Sequence, residues 1–182
     1  MAVEAHETSG HEEHEEFEEH EEHEERGLAS RAWIQWTTSA ARVALAGVLF
    51  WAGWVKFTEP PALQRQAVEA YELLPEGLAG AVGYGLPVLE MVLALLLLAG
   101  FVTRFSAVIS ALLMAVFIAG IASVWARGLN IDCGCFGGGG AVAEGETKYP
   151  QEIMRDLGYL ALAVWIAVFP PGRLSVDRRL GL

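Results

Sequence analysis

The chain has 182 residues, is 53% hydrophobic and has a mean hydropathy of +0.35, too apolar for a soluble domain of this size. Twelve of its 23 acidic residues, but only one of its twelve basic residues, lie in residues 1–26. That segment therefore carries the whole formal net charge of −11, the remainder is neutral, and no basic surface suited to nucleic acid is offered.

Residues 1–30 are rich in Glu and hold all five histidines, His6, His11, His14, His20 and His23. A solvated, disordered tail is expected, since so few apolar groups cannot drive folding. In helical form His11 with His14, and His20 with His23, would share neighbouring turns. Imidazole and carboxylate together would bind a divalent metal loosely there. No basic stretch followed by an apolar one opens the chain, so the first span is expected to act as its own insertion signal.

A four-span domain is expected over residues 38–170. The first span, about 39–57, is bounded by Arg42 and Lys56, with Trp33, Trp36, Trp51 and Trp54 at interfacial positions. Residues 58–78 are broken by Pro60, Pro61 and Pro75, and Gln64 to Leu74 could form a short amphipathic surface helix. The second span, about 79–101, contains one acid, Glu90. A tight turn is expected at Thr103 and Arg104, and the uncharged third span follows at about 105–126. Residues 128–152 form a glycine-rich loop. The fourth span, about 153–169, is short, carries Arg155 and Asp156 in its first turn and stops at Pro170. Residues 171–182 form a C-terminal tail. Backbone polar groups must be satisfied within helices in lipid, so the expected fold is an all-α integral membrane four-helix bundle. Gly47, Gly53, Ala94, Ala111, Ala115 and Gly120 would let its helices approach closely. Basic residues number six on one side and five on the other. This bias puts both termini in the cytoplasm and the glycine-rich loop outside.

That loop contains NIDCGCFGGGG, residues 130–140, with the only two cysteines, Cys133 and Cys135. One intervening residue makes any disulfide between them a small strained ring, hence labile and redox-active. Arg127 or Lys148 could stabilise a thiolate, and Asp132 would oppose it. The same pair could instead ligate copper or zinc. Lys56, Glu90, Arg155 and Asp156 should gather near the loop-side end of the bundle. An acid as deep as Glu90 needs a partner, Lys56 first and Arg155 second. The cluster could handle protons during thiol exchange, or serve as a structural ion pair.

With these features the chain resembles the MauE family of membrane proteins, related to the four-helix DoxX-like proteins. The matching pieces are Lys56-Phe57, AYELLP at 70–75, GLPVLEMVLALLLLAG at 85–100, DCGCFG at 132–137 and Arg155. The resemblance covers about residues 38–170. It implies a bacterial inner-membrane protein that serves an extracytoplasmic thioredoxin-like or DsbA-like thiol-disulfide partner. It further suggests analogy to DsbB and the vitamin K epoxide reductase homologues, which pass electrons to quinone. Those use two cysteine pairs where this chain has one, so no relay between pairs can occur within it. A quinone would lie near Trp54, Trp125 and Glu90, although the tryptophans also suit interfacial belts. The expected function is thiol-disulfide exchange, possible as an enzymatic oxidoreductase activity. Copper or zinc handling, and a non-enzymatic scaffold for a redox partner, are the alternatives.

Overall fold

The computed structural model describes residues 32–169 and 175–177. The acidic tail, with His11, His14, His20 and His23, and most of residues 171–182 lie outside them. The described chain is mainly helical: α1 (Ala32–Thr58), α2 (Pro61–Glu69), α3 (Glu76–Ala99), α4 (Thr103–Ala126) and α5 (Tyr149–Val168). Between α4 and α5 two short strands, β1 (Ile131–Asp132) and β2 (Gly140–Ala141), pair antiparallel and close the glycine-rich loop.

Three helices, α1, α3 and α4, are long and apolar enough to cross a membrane. The polarity of the long helices, α5 included, is inverted relative to a soluble protein. Arg42, Lys56, Glu90 and Asp156 are buried, while Phe50, Trp51, Leu95, Leu98, Leu112 and Val116 face outward. Water would penalise such a surface, and a hydrocarbon solvent matches it. This is a membrane protein. The fourth long helix, α5, carries Glu152, Arg155 and Asp156 in its first two turns, so its apolar stretch is shorter than those of the other three. It packs along α4, and Trp165 Nε1 donates to Thr38 Oγ1 of α1 at 3.3 Å.

On α1 the inward stripe reads Thr38, Arg42, Leu45, Leu49, Ala52 and Lys56, spaced by three or four residues as a single helix face requires. Leu45 and Leu49 join Leu93 and Leu97 of α3, Ala107 and Met114 of α4, and Ala163 and Ile166 of α5 in one core. At Gly53 α1 approaches α3 closely: a Cβ there would lie 2.8 Å from the Pro87 carbonyl oxygen and 3.2 Å from Glu90 Cβ. Ala94 also packs in the core, whereas Gly47 has nothing near it.

The surface helix α2 starts at Pro61, whose missing N–H suits a first helical position, and ends at Glu69, earlier than the pattern to Leu74 suggested. It folds back on the end of α1, where Gln64 Nε2 donates to the carbonyls of Lys56 at 2.6 Å and Glu59 at 3.1 Å. Orphan carbonyls at a helix end are thereby satisfied.

At the opposite end the turn falls at Gly100–Val102 rather than at Thr103–Arg104, and Thr103 already begins α4. Two contacts decide this. Gly100 adopts the left-handed conformation that ends α3. Asp177, remote in sequence, accepts hydrogen bonds from the N–H groups of Val102 (2.7 Å) and Thr103 (2.8 Å) and so caps α4 from outside. Burial opposes the charge on Asp177, but these bonds and the nearby Arg42 outweigh it and hold its carboxyl below the usual range. The Asp177→Ala variant should therefore lose about 1 kcal/mol, read as a lower thermal midpoint in detergent. In the native chain this contribution is present above the unfolded carboxyl pKa of ~3.9 and lost as pH falls through the depressed folded value. The difference between the two proteins should shrink in acid, and a constant difference across pH would refute the capping role.

Candidate functional site

The cysteine loop is held by side chains from four directions. Tyr149, at the start of α5, donates its hydroxyl to the Leu129 carbonyl at 2.6 Å and accepts from the Ile131 N–H at 2.9 Å. Tyr71, just after α2, donates to the Cys133 carbonyl at 2.8 Å. Glu59, at the end of α1, accepts from the Gly138 N–H at 2.5 Å. Asp132 accepts from the Gly134 N–H at 3.2 Å. The backbone at Gly139 has φ +97°, and a Cβ there would sit 2.6 Å from the Cβ of Ala67 on α2. A side chain is thus excluded twice, by conformation and by the docking of the loop on α2.

Within this frame the two thiols differ. Both are free; Cys133 is half-buried and Cys135 buried. Cys133 Sγ accepts from the Cys135 N–H at 3.3 Å and lies 3.9 Å from Arg155 Nη2. The hydrogen bond from Cys135, aided by Arg155, holds the Cys133 thiol below its ordinary value although burial opposes this. Donating to Cys133, burial and the nearby carboxylate of Asp156 push the Cys135 thiol up. The two sulfurs are thus shifted in opposite directions, Cys133 toward the thiolate and Cys135 away from it.

The cation beside the thiol is Arg155, not Arg127 or Lys148. Arg127 instead binds the Tyr71 carbonyl and approaches Glu72 at 3.7 Å. Lys148 precedes the first residue of α5. Arg155 is held by Asp156 Oδ1 at 3.1 Å from its Nε and stacks over the Phe136 ring, 4.6 Å from the centroid. Glu90, almost fully buried, accepts from Lys56 Nζ at 2.5 Å, and that ammonium lies 5.4 Å from the Phe117 ring centroid. Lys56, Glu90, Arg155 and Asp156 thus form two ion pairs, one beside Cys133 and one deeper. Both Lys56 and Asp156 act electrostatically on Cys135.

Trp54 and Trp125 are about half exposed on the outer surface; Trp54 stacks on Phe50 and Trp125 packs against Tyr149. Neither lines the cavity of about 250 Å³ beneath the cysteine loop. Its walls come from Lys56 and Glu59, from α2 and Tyr71, from Val82 and Leu86 of α3, from Val116 and Phe117 of α4, and from both cysteines. Sequence reasoning did not single out Tyr71, Glu59, Phe117 or Glu152 as site residues. Tyr71 sits inside the AYELLP segment, which was a signal for it; Glu59 and Phe117 look like ordinary residues of a helix end and a span. Glu152, in the first turn of α5, acts electrostatically on Cys133. Among the described residues, Asp132, Cys133 and Glu152 place potential ligand atoms within 4.8 Å of one another.

The asymmetry has a direct readout. At neutral pH, Cys133 should be alkylated well before Cys135 in the reduced wild-type protein, with the labelled sulfur identified by fragmentation mass spectrometry. Replacing Arg155 with Met removes a group that favours the thiolate, so the Cys133 pKa rises and its alkylation–pH profile shifts to higher pH. An unshifted profile in folded Arg155→Met protein would show that Arg155 does not activate the thiol.

No curated protein and no solved structure matches the chain. The family model described as "Methylamine utilisation protein MauE" matches residues 34–169, a stretch that begins within α1, ends just past α5 and includes both cysteines with Lys56, Glu90, Arg155 and Asp156. The chain is therefore a member of the MauE family.

Proposed function

We propose that this membrane protein exchanges thiols and disulfides with an extracytoplasmic thioredoxin-like protein through Cys133 and Cys135. In this reading α1, α3, α4 and the shorter α5 all cross a bacterial inner membrane as a four-helix bundle. Both termini are cytoplasmic and the cysteine loop lies outside. The observation that carries the reading is the division between the two sulfurs. Cys133 is reachable and contacted by Arg155 and an N–H donor, while Cys135 lies buried directly behind it.

The cycle balances as follows. With the Cys133–Cys135 bond formed, a thiolate of the partner attacks Cys133, making a mixed disulfide and releasing Cys135 as the leaving thiolate, which takes up a proton. The partner's second thiolate then attacks its own sulfur in the mixed disulfide. The partner leaves oxidised, and Cys133 leaves as the thiolate favoured by Arg155. Two electrons have entered the pair. Asp156 and Lys56 flank Cys135 and are the groups suited to manage its proton, which gives their burial a use beyond helix packing.

A second reading has one observation in its favour, the convergence of Asp132, Cys133 and Glu152 on a volume that could hold a metal ion. Mixed hard and soft ligands of this kind suit zinc better than Cu(I).

Trapping separates them. In Cys135→Ser protein the resolving sulfur is gone, so Cys133 should accumulate a mixed disulfide with a thioredoxin-like protein on non-reducing gels. Cys133→Ser should accumulate far less. Absence of adducts with both variants, together with stoichiometric zinc in the purified wild type that disappears in Cys133→Ser, would replace the redox reading with the metal one.

A further inference from the structure

The cavity beneath the cysteine loop joins two different environments. At its inner end are Cys135 and Lys56, both buried, and the half-buried Cys133. At its outer end are Leu73, Leu74, Val82 and Val116, which are also exposed on the outside of the protein; Val116 is 66% exposed. Val82 and Val116 belong to α3 and α4, the two most apolar of the membrane-capable helices. The mouth therefore opens where lipid would lie, and the floor is made by the two thiols.

The lining constrains what enters. Two aromatic side chains, Phe117 and Tyr71, contribute to the wall, and Gly120 leaves room for the Tyr71 ring against α4, where a Cβ would sit 3.2 Å from it. Flat rings pack well between such groups. The Lys56 ammonium has three N–H donors, of which Glu90 Oε1 accepts one. It is a buried donor in an otherwise apolar wall, suited to a carbonyl oxygen. The other charged lining residue is Glu59, which repels the phosphates that flavin and nicotinamide nucleotides carry. A volume of about 250 Å³ holds a single substituted ring, with any tail leaving by the apolar mouth.

The geometry points to this cavity as the binding site of a membrane-dissolved quinone, which takes the two electrons of the Cys133–Cys135 dithiol. This rests on the thiol-exchange reading for the source of the electrons, but the binding site itself does not. Cys133 thiolate adds to the quinone ring, and a ring oxygen takes a proton from Lys56. Cys135 gives its proton to Lys56 and attacks the Cys133 sulfur. The S–S bond forms, the carbon–sulfur bond breaks, and the reduced ring departs, its second oxygen taking up the proton that Cys133 had released. Two thiols and one quinone become one disulfide and one quinol.

The test uses the full chain in lipid nanodiscs and the short-chain benzoquinone decyl-ubiquinone. Saturable binding is measured above partition into protein-free nanodiscs. About one site per chain is expected, and it should persist in the Cys133→Ser/Cys135→Ser protein, which cannot exchange thiols. Val116→Trp places an indole in the mouth and should weaken binding roughly tenfold, or by 1.4 kcal/mol. Val108→Trp, an exposed position on the same helix away from the cavity, should leave it unchanged. In reduced wild type, decyl-ubiquinone should consume both maleimide-reactive thiols and yield an equivalent of quinol. Partition without saturation, or equal affinity in Val116→Trp and wild type, overturns the site. Saturable binding without thiol oxidation overturns the acceptor role. Oxidation by decyl-ubiquinone in a protein that never traps a thioredoxin-like partner supports the site while refuting the partner reading.

Discussion

An ammonium and a carboxylate buried together at a helix crossing must find each other, or the helices cannot close around them. Lys56 and Glu90 meet at 2.5 Å where α1 crosses α3, with side chains exposed by 9% and 1%. Losing one partner of such a pair costs about 3–5 kcal/mol because the other charge is left buried and unpaired. Their meeting requires the two backbones to be close, and the absence of a side chain at Gly53, against the Pro87 carbonyl, permits it. The same crossing turns Lys56 toward Phe117 and into the cavity, and Gln64 then ties α2 to the Lys56 carbonyl. The position of α2 in turn decides where the cysteine loop docks, through Ala67 against Gly139 and through Tyr71.

The bundle has two differently built ends. At one, Asp177 and Ser175 lock the α3–α4 turn by bonding to the backbone around Gly100. At the other lie the cysteines, a cavity and buried carboxylate oxygens of Asp156 and Glu90 that lack a hydrogen-bond partner. Such atoms are not confined to this end: Thr103 Oγ1 and Ser106 Oγ, near the start of α4, are also buried without a hydrogen-bond partner.

Two cysteines separated by a single glycine are chemically alike until something distinguishes them. The distinction here comes from α5. Arg155 reaches Cys133, Asp156 acts on Cys135, and the stacking of the guanidinium on Phe136 keeps the cation in place. Charged residues in the first turns of α5 shorten its apolar stretch, and they are also what makes the two sulfurs inequivalent. The family match, which extends through this helix, fits a domain in which α5 belongs to the site as much as to the bundle.

The membrane character was legible in the sequence because hydropathy over about twenty residues is a local property. So were the uniqueness of the cysteine pair, the confinement of the net charge to residues 1–26, the need of Glu90 for a partner, and the family resemblance carried by the DCGCFG stretch. Helix limits were less so: the α4 start depends on Asp177, more than seventy residues away, and no local pattern encodes a cap supplied from such a distance. Only tertiary structure chose Arg155 over Arg127 and Lys148 as the thiol's cation, since all three lie near the loop in sequence and the direction of α5 decides which reaches sulfur. It also assembled a cavity from five separate segments and left Trp54 and Trp125 outside it. Residue type declares that a thiol pair and buried charges are present; the order in which charge, sulfur and cavity face one another is set by the packing of helices distant in the chain.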